Sequence, residues 1–129
     1  MKKIKVVVCE AGKLARIEKI ENTLKGIRNI TGDDNIEPFR PFDDNALILC
    51  NECGKINGMP MNRAVRIAGN IIDIINGDFI ICSTEDSEFA SLTEEQQDKY
   101  LKMFKYPEMF FSSGGQVVVI PYNPEVVHK

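Results

Sequence analysis

Tryptophan is absent from this 129-residue chain, and histidine occurs once, at position 128. Ser-His-Asp and Cys-His mechanisms are therefore disfavoured, because an imidazole near a chain end is rarely held firmly enough to act as a general base. Long apolar runs are missing too. The longest, Ala46 to Cys50 and Val117 to Ile120, fall far short of the roughly 20 residues a spanning helix needs. No membrane association is expected. Lys2-Lys3 leads directly into Ile4-Lys5-Val6-Val7-Val8 without a small-residue cleavage site, so no export signal is expected and a cytoplasmic location is. There is no basic tract longer than Lys2-Lys3, and 16 basic against 19 acidic residues leave a net charge of -3. Binding to duplex nucleic acid by phosphate neutralisation is not expected on that balance. Neither a Gly-x-Gly-x-x-Gly fingerprint nor a Walker loop occurs; Gly114-Gly115 precedes a strand-like run, which is the reverse of the phosphate-loop order.

What is present describes a globular protein. With 43% hydrophobic and 27% charged residues the chain can bury a core, and its length suits a single domain over 1–129. Ile4 to Cys9 and Ala15 to Lys19 alternate as a hairpin around Glu10 to Lys13. A short amphipathic helix is predicted over about 22 to 31, with Gly32 as its stop. Pro38 and Pro41 confine Ile36 to Phe42 to a sheet edge, and Ala46 to Cys50 has the pattern of a fully buried strand. Asn51 to Gly54 has the composition of a tight turn, predicting a second hairpin into Lys55 to Gly58.

Met59 to Asn76 carries two signals. Ala64, Ile67, Ala68, Ile71, Ile72 and Ile75 share one helical face, while Ala68-Gly69-Asn70 marks a turn; a loop through Gly69 and a short helix over Ile71 to Ile75 is predicted. Asp78 to Ser83 is a core strand. Ser91-Leu92-Thr93-Glu94 has the form of a capping box opening the strongest helix, with Leu92, Tyr100, Leu101 and Phe104 on its apolar side and Pro107 beyond its end. Gly114-Gly115 is a hairpin turn into a last strand, Gln116 to Ile120. The fold class that follows is α+β, a mixed or antiparallel sheet of hairpins with two to three short helices.

Few groups carry recognisable chemistry. Cys50 and Cys53, spaced Cys-x-x-Cys, would supply half of a tetrahedral zinc site, but no second close pair of ligands accompanies them. An incidental thiol on a turn is the stronger interpretation, and neither metal nor cofactor is expected. Without an export signal the four cysteines are expected to be reduced thiols. Asn62, Arg63 and Arg66 follow Met59-Pro60-Met61, and Asn51 stands at the preceding turn. An Arg fork and an Asn amide recognise carboxylates, phosphates or base edges, and they equally tie down the backbone carbonyls of their own loop. Asp33-Asp34, Asp43-Asp44 and Glu94-Glu95 sit where loops and helix starts accommodate them and give no sign of acid–base catalysis. Met109-Phe110-Phe111 beside Tyr106 is an apolar cluster of the kind found in core plugs and subunit contacts.

The order of several short motifs is more specific than any one of them: Cys50-Asn51-Glu52-x-Gly54-Lys55, Gly58-Met59-Pro60-x-Asn62-Arg63, Asp73-Ile74-Ile75-x-Gly77-x-Phe79, and Phe89-x-Ser91-Leu92-Thr93-x-Glu95-Gln96. Together they resemble a family of small proteins from phages, plasmids and conjugative elements, catalogued as domain of unknown function 3846. The resemblance implies an accessory protein of a mobile element working in a bacterial cytoplasm. It carries no activity with it. It includes Asn51, Asn62 and Arg63 and does not demand a Cys at 53.

Three functions remain open from sequence. The first is a non-enzymatic binding protein that blocks a host-defence protein or sequesters a signalling nucleotide, with Asn51, Asn62, Arg63 and Arg66 as ligand-binding residues; the nucleotide version predicts a homo-oligomer with its pocket at a subunit interface. The second is a small zinc-binding regulator or enzyme using Cys50 and Cys53. The third is a structural subunit docking a larger complex through Met109-Phe110-Phe111. On the first, an Arg63→Ala variant is expected to fold and lose its ligand, whereas unfolding would mark Arg63 as structural.

Overall fold

The computed structural model describes residues 2–126. Along the chain run β1 (Lys3–Cys9), β2 (Arg16–Glu21), α1 (Leu24–Thr31), β3 (Ile36–Phe39), β4 (Ala46–Asn51) and β5 (Met61–Ile67). There follow β6 (Asn70–Asn76), β7 (Phe79–Glu85), β8 (Glu88–Ala90), α2 (Glu94–Met103), β9 (Glu108–Ser113) and β10 (Gln116–Pro121). Six strands form the main sheet in the order β2-β1-β7-β4-β3, with β8 beside β7. Every pairing in it is antiparallel. Two separate hairpins, β5–β6 and β9–β10, complete the strands. No helix of the described residues is long and apolar enough to cross a membrane.

Antiparallel sheets commonly leave one face wet and alternate apolar with polar residues. The three middle strands here do not, because both faces are covered. Val6, Val8, Leu47, Leu49, Ile80 and Cys82 join Ile27 of α1 in one cluster. Their neighbours Val7, Cys9, Ile48, Cys50, Phe79 and Ile81 face the other way, into a cluster with Val65 and Ile75 of the β5–β6 hairpin and with Tyr100 and Phe104 from the α2 end. Cover on both sides is why Val6 to Cys9, Ala46 to Cys50 and Phe79 to Cys82 read as unbroken apolar runs.

The first hairpin, the β3 edge strand, β4 and β7 stand where the sequence puts them. Helix α1 is capped by Thr23, whose hydroxyl accepts from the Gly26 N–H, and stops at Gly32 with φ 101°. Gly26 has to be glycine: a Cβ there would run into the backbone carbonyl of Glu21.

Three expectations are corrected. Lys55 to Gly58 is not a strand; 52–58 is a run of turns, with Asn57 N–H donating to the Cys53 carbonyl and Met59 N–H to that of Gly54. Gly54 belongs there because a Cβ would lie 2.5 Å from the Asn76 carbonyl oxygen. Ile71 to Ile75 is not a helix but the heart of β6, paired with β5 with Val65 opposite Asp73 and Ala64 opposite Ile74. Ala68 and Gly69, at φ 51° and 81°, make the two-residue left-handed turn that joins strands directly, so the turn signal outweighed the helical spacing. The capping box of α2 is Thr93 with Gln96, each side chain bonded to the other's backbone N–H; the Ser91 hydroxyl instead accepts from Lys5 N–H. The described residues hold two helices.

Candidate functional site

The sequence singles out Asn51, Asn62, Arg63 and Arg66, and the structure separates them. Asn51 ends β4, buried, its amide donating to the Thr31 carbonyl (3.0 Å) and to Asp34 (3.1 Å) while its oxygen accepts from Cys53 N–H. It borders a small cavity of about 110 Å³ whose wall includes Cys50, Glu37, Lys55 and Asp73. The other three lie on strand β5 rather than on a loop.

Asn62 and Arg63 are both 1% exposed, and their hydrogen-bonding groups are engaged by the protein itself. The Asn62 amide donates to the carbonyls of Cys9 and Gly77, each at 2.9 Å, and its oxygen accepts from Arg63. Arg63 donates through Nε to the Phe104 carbonyl (3.1 Å), through Nη1 to that of Glu10 (3.4 Å) and through Nη2 to that of Lys13 (2.7 Å). One guanidinium thus gathers the β1–β2 turn, the C-terminal end of α2 and β5. Burial pulls its pKa below the ordinary guanidinium value, with Cys9 and Glu108 pulling the other way.

Above Arg63 opens a groove of about 230 Å³ between β5 and the segment leading from α2 into β9. Its wall carries Arg66, Lys102, Lys105, Tyr106 and Glu108, with Arg63 at the bottom. Four cations therefore face one carboxylate on a chain whose net charge is -3. Glu108 is well held: its side chain is 6% exposed, it accepts from Ala64 N–H (2.8 Å) and it pairs with Arg66 at 2.9 Å. Lys102 pairs with Asp98 one helical turn back at 2.9 Å. Lys105 has no carboxylate within ion-pair distance among the described residues and sits 5.2 Å from the centre of the Tyr106 ring, which is 39% exposed. The sequence signal for Lys102, Lys105, Tyr106 and Glu108 was faint, because they become one site only when β5 packs beside β9.

The cysteines do not converge. Cys50 is buried and its thiol donates to the Glu37 carbonyl at 3.6 Å; Cys53 is half-buried. Burial pushes Cys50 up to about 11 and Cys9 and Cys82 up to about 12, so these three are neutral thiols near pH 7 rather than metal-ready thiolates. Among the described residues no three His, Cys, Asp or Glu side chains gather as metal ligands. His128 lies outside the described residues.

No curated protein and no solved structure matches the chain. Residues 4–105, which run from β1 to the start of the groove's outer wall, match the family described as Domain of unknown function (DUF3846), and the chain belongs to that family.

Proposed function

We propose that this chain is a non-enzymatic binding protein of a phage or other mobile element, and that it sequesters a phosphate-bearing signalling nucleotide of host defence in the groove above Arg63. The observation that carries this is the local reversal of charge: four cations and one carboxylate line a groove on an otherwise acidic protein. Cations gathered in a concave site concentrate anions there. Arg66, Lys102 and Lys105 suit phosphate oxygens as charge-assisted donors, and the exposed Tyr106 ring offers a face for a base. Arg63, with four hydrogen bonds already made inside the protein, contributes charge and holds the floor in place. The reading also accounts for Lys105, a cation left without a carboxylate beside the groove.

Isothermal titration calorimetry tests it, with linear and cyclic mono- and dinucleotides, pyrophosphate and an acidic peptide. A nucleotide is expected to bind, more weakly as salt rises. Lys105→Gln is expected to cost about tenfold in affinity, in line with one charge-assisted hydrogen bond of about 1.5 kcal/mol. Absence of binding by every phosphate compound, or binding that Lys105→Gln and Arg66→Gln both leave unchanged, would overturn the proposal. Heat from the acidic peptide alone would move the ligand to a host protein.

A further inference from the structure

An asparagine followed by glycine is chemically labile. With no Cβ in the way, the glycine nitrogen can come close enough to the asparagine side-chain carbonyl carbon to attack it. The chain has two such pairs, Asn57-Gly58 and Asn76-Gly77, alike in sequence. The fold makes them unlike.

Asn76 ends β6 opposite Met61 and is half-buried. Its amide donates to the Met59 carbonyl at 2.9 Å, and the Gly77 N–H, which would be the nucleophile, donates to the Pro60 carbonyl at 2.8 Å. Gly77 is buried against Met59, whose sulfur would lie 2.7 Å from a Cβ there. Attack at this pair requires side chain and backbone to leave those bonds together, which is a local opening of the strand end. Asn57 and Gly58 are exposed, in the run of turns over 52–58. The Gly58 N–H makes a longer bond, 3.3 Å to the Lys55 carbonyl, and no atom comes within 4 Å of where its Cβ would be. The Asn57 amide is held by Asp34 Oδ2 at 3.1 Å, at the surface, where water competes for the bond.

We infer that Asn57 is a site of spontaneous deamidation and that its conversion loosens the 52–58 turns from the rest of the fold. The Gly58 nitrogen gives up its proton and bonds to Asn57 Cγ, and the side-chain nitrogen leaves as ammonia. Water then opens the cyclic imide to aspartate or isoaspartate. No electrons are transferred, and water is the only co-reactant. The new carboxylate stands where an amide donated to Asp34, so a donor–acceptor pair becomes two like charges. Asp34 Oδ2 also accepts from Asn51 at 3.1 Å. It is thus the point at which the α1–β3 loop, the end of β4 and the turns are tied together. Isoaspartate further lengthens the backbone by one carbon, inside turns closed by Asn57 N–H on the Cys53 carbonyl and Met59 N–H on that of Gly54. None of these residues lines the groove above Arg63, so the inference stands apart from the groove's ligand.

Peptide mapping by mass spectrometry tests it, on the full chain kept folded at mildly alkaline pH and on a parallel sample in urea. In the folded chain Asn57 is expected to gain the mass of an –NH2 to –OH exchange while Asn76 keeps its amide; in urea both are expected to convert. Asn57→Gln, whose longer side chain closes the ring poorly, is expected to stay unconverted and to keep the wild-type urea midpoint. Asn57→Asp is expected to lower the midpoint, as ageing of the wild type does. An Asn57 that stays intact in the folded chain while the urea sample converts, or an Asn76 that converts as fast as Asn57 in the folded chain, overturns the site. A wild-type midpoint for both Asn57→Asp and the aged chain overturns the loosening.

Discussion

Arg63 shows how far one residue's chemistry depends on where the fold puts it. An Arg beside an Asn near a Met-Pro-Met segment has the look of a ligand-binding pair, and both are fully enclosed. A buried cation is costly unless its donors are used, and Arg63 uses Nε, Nη1 and Nη2 on three backbone carbonyls and the Asn62 oxygen. Arg63→Ala would orphan the carbonyls of Phe104, Glu10 and Lys13 and leave a void. We therefore expect destabilisation by about 3 kcal/mol rather than a normally folded variant. Urea denaturation measures it; a midpoint within error of the wild type would show that the three carbonyls find water instead. Arg66, three residues on, keeps a partly exposed side chain paired to Glu108 and is the better residue for probing the groove.

At the scale of elements, local signals were sound where turn chemistry was unambiguous and shifted where two candidates competed. α2 begins two residues later than the Ser91 pattern suggests, because Ser91 is occupied by the Lys5 N–H and Thr93 is free to cap. Thr93→Ala is expected to cost about 1 kcal/mol, the worth of a lost N-cap, and Thr93→Ser much less because the hydroxyl remains. Thermal unfolding of the two variants side by side checks this, and equal loss in both would point to packing of the Thr methyl instead. β6 is the sharper lesson. Ile67, Ile71 and Ile72 occupy helix-like positions yet are 44% to 48% exposed, so their periodicity does not mark a buried face. The left-handed Ala68-Gly69 pair closes a strand turn at a cost of about 1 kcal/mol for Ala68, and the ladder with β5 outweighs it.

For the molecule as a whole, the decisive feature is that one sheet is covered on both sides. Ile80 packs toward α1 and Ile81 toward α2, in separate clusters, and both are 0% exposed. Ile80→Ala and Ile81→Ala are each expected to destabilise by about 3 kcal/mol, since each empties space in a closed layer. Chemical denaturation reads both. If one were nearly neutral, that face would be open to solvent and the two-layer cover wrong. The same layering makes the groove, because Val65 of β5 and Tyr100 and Phe104 of the α2 end pack on the same face of the sheet.

The sequence by itself determined the apolar runs of the central strands, the turns with glycine in left-handed positions, the edge role of the proline strand and the family to which the chain belongs. Each is written in neighbouring residues or in the order of short motifs. Only the tertiary structure decided that Met59 to Asn76 folds as a hairpin, that Asn62 and Arg63 serve buried carbonyls, and that Arg66, Lys102, Lys105 and Tyr106 share a groove. For the last two the physical reason is the same: a hydrogen-bond partner or a neighbouring charge some 40 positions away, such as the Phe104 carbonyl for Arg63 and Glu108 for Arg66, leaves no trace in the local pattern until packing brings it into reach; the hairpin pairs near neighbours, and there a turn and a helical spacing competed within the same residues.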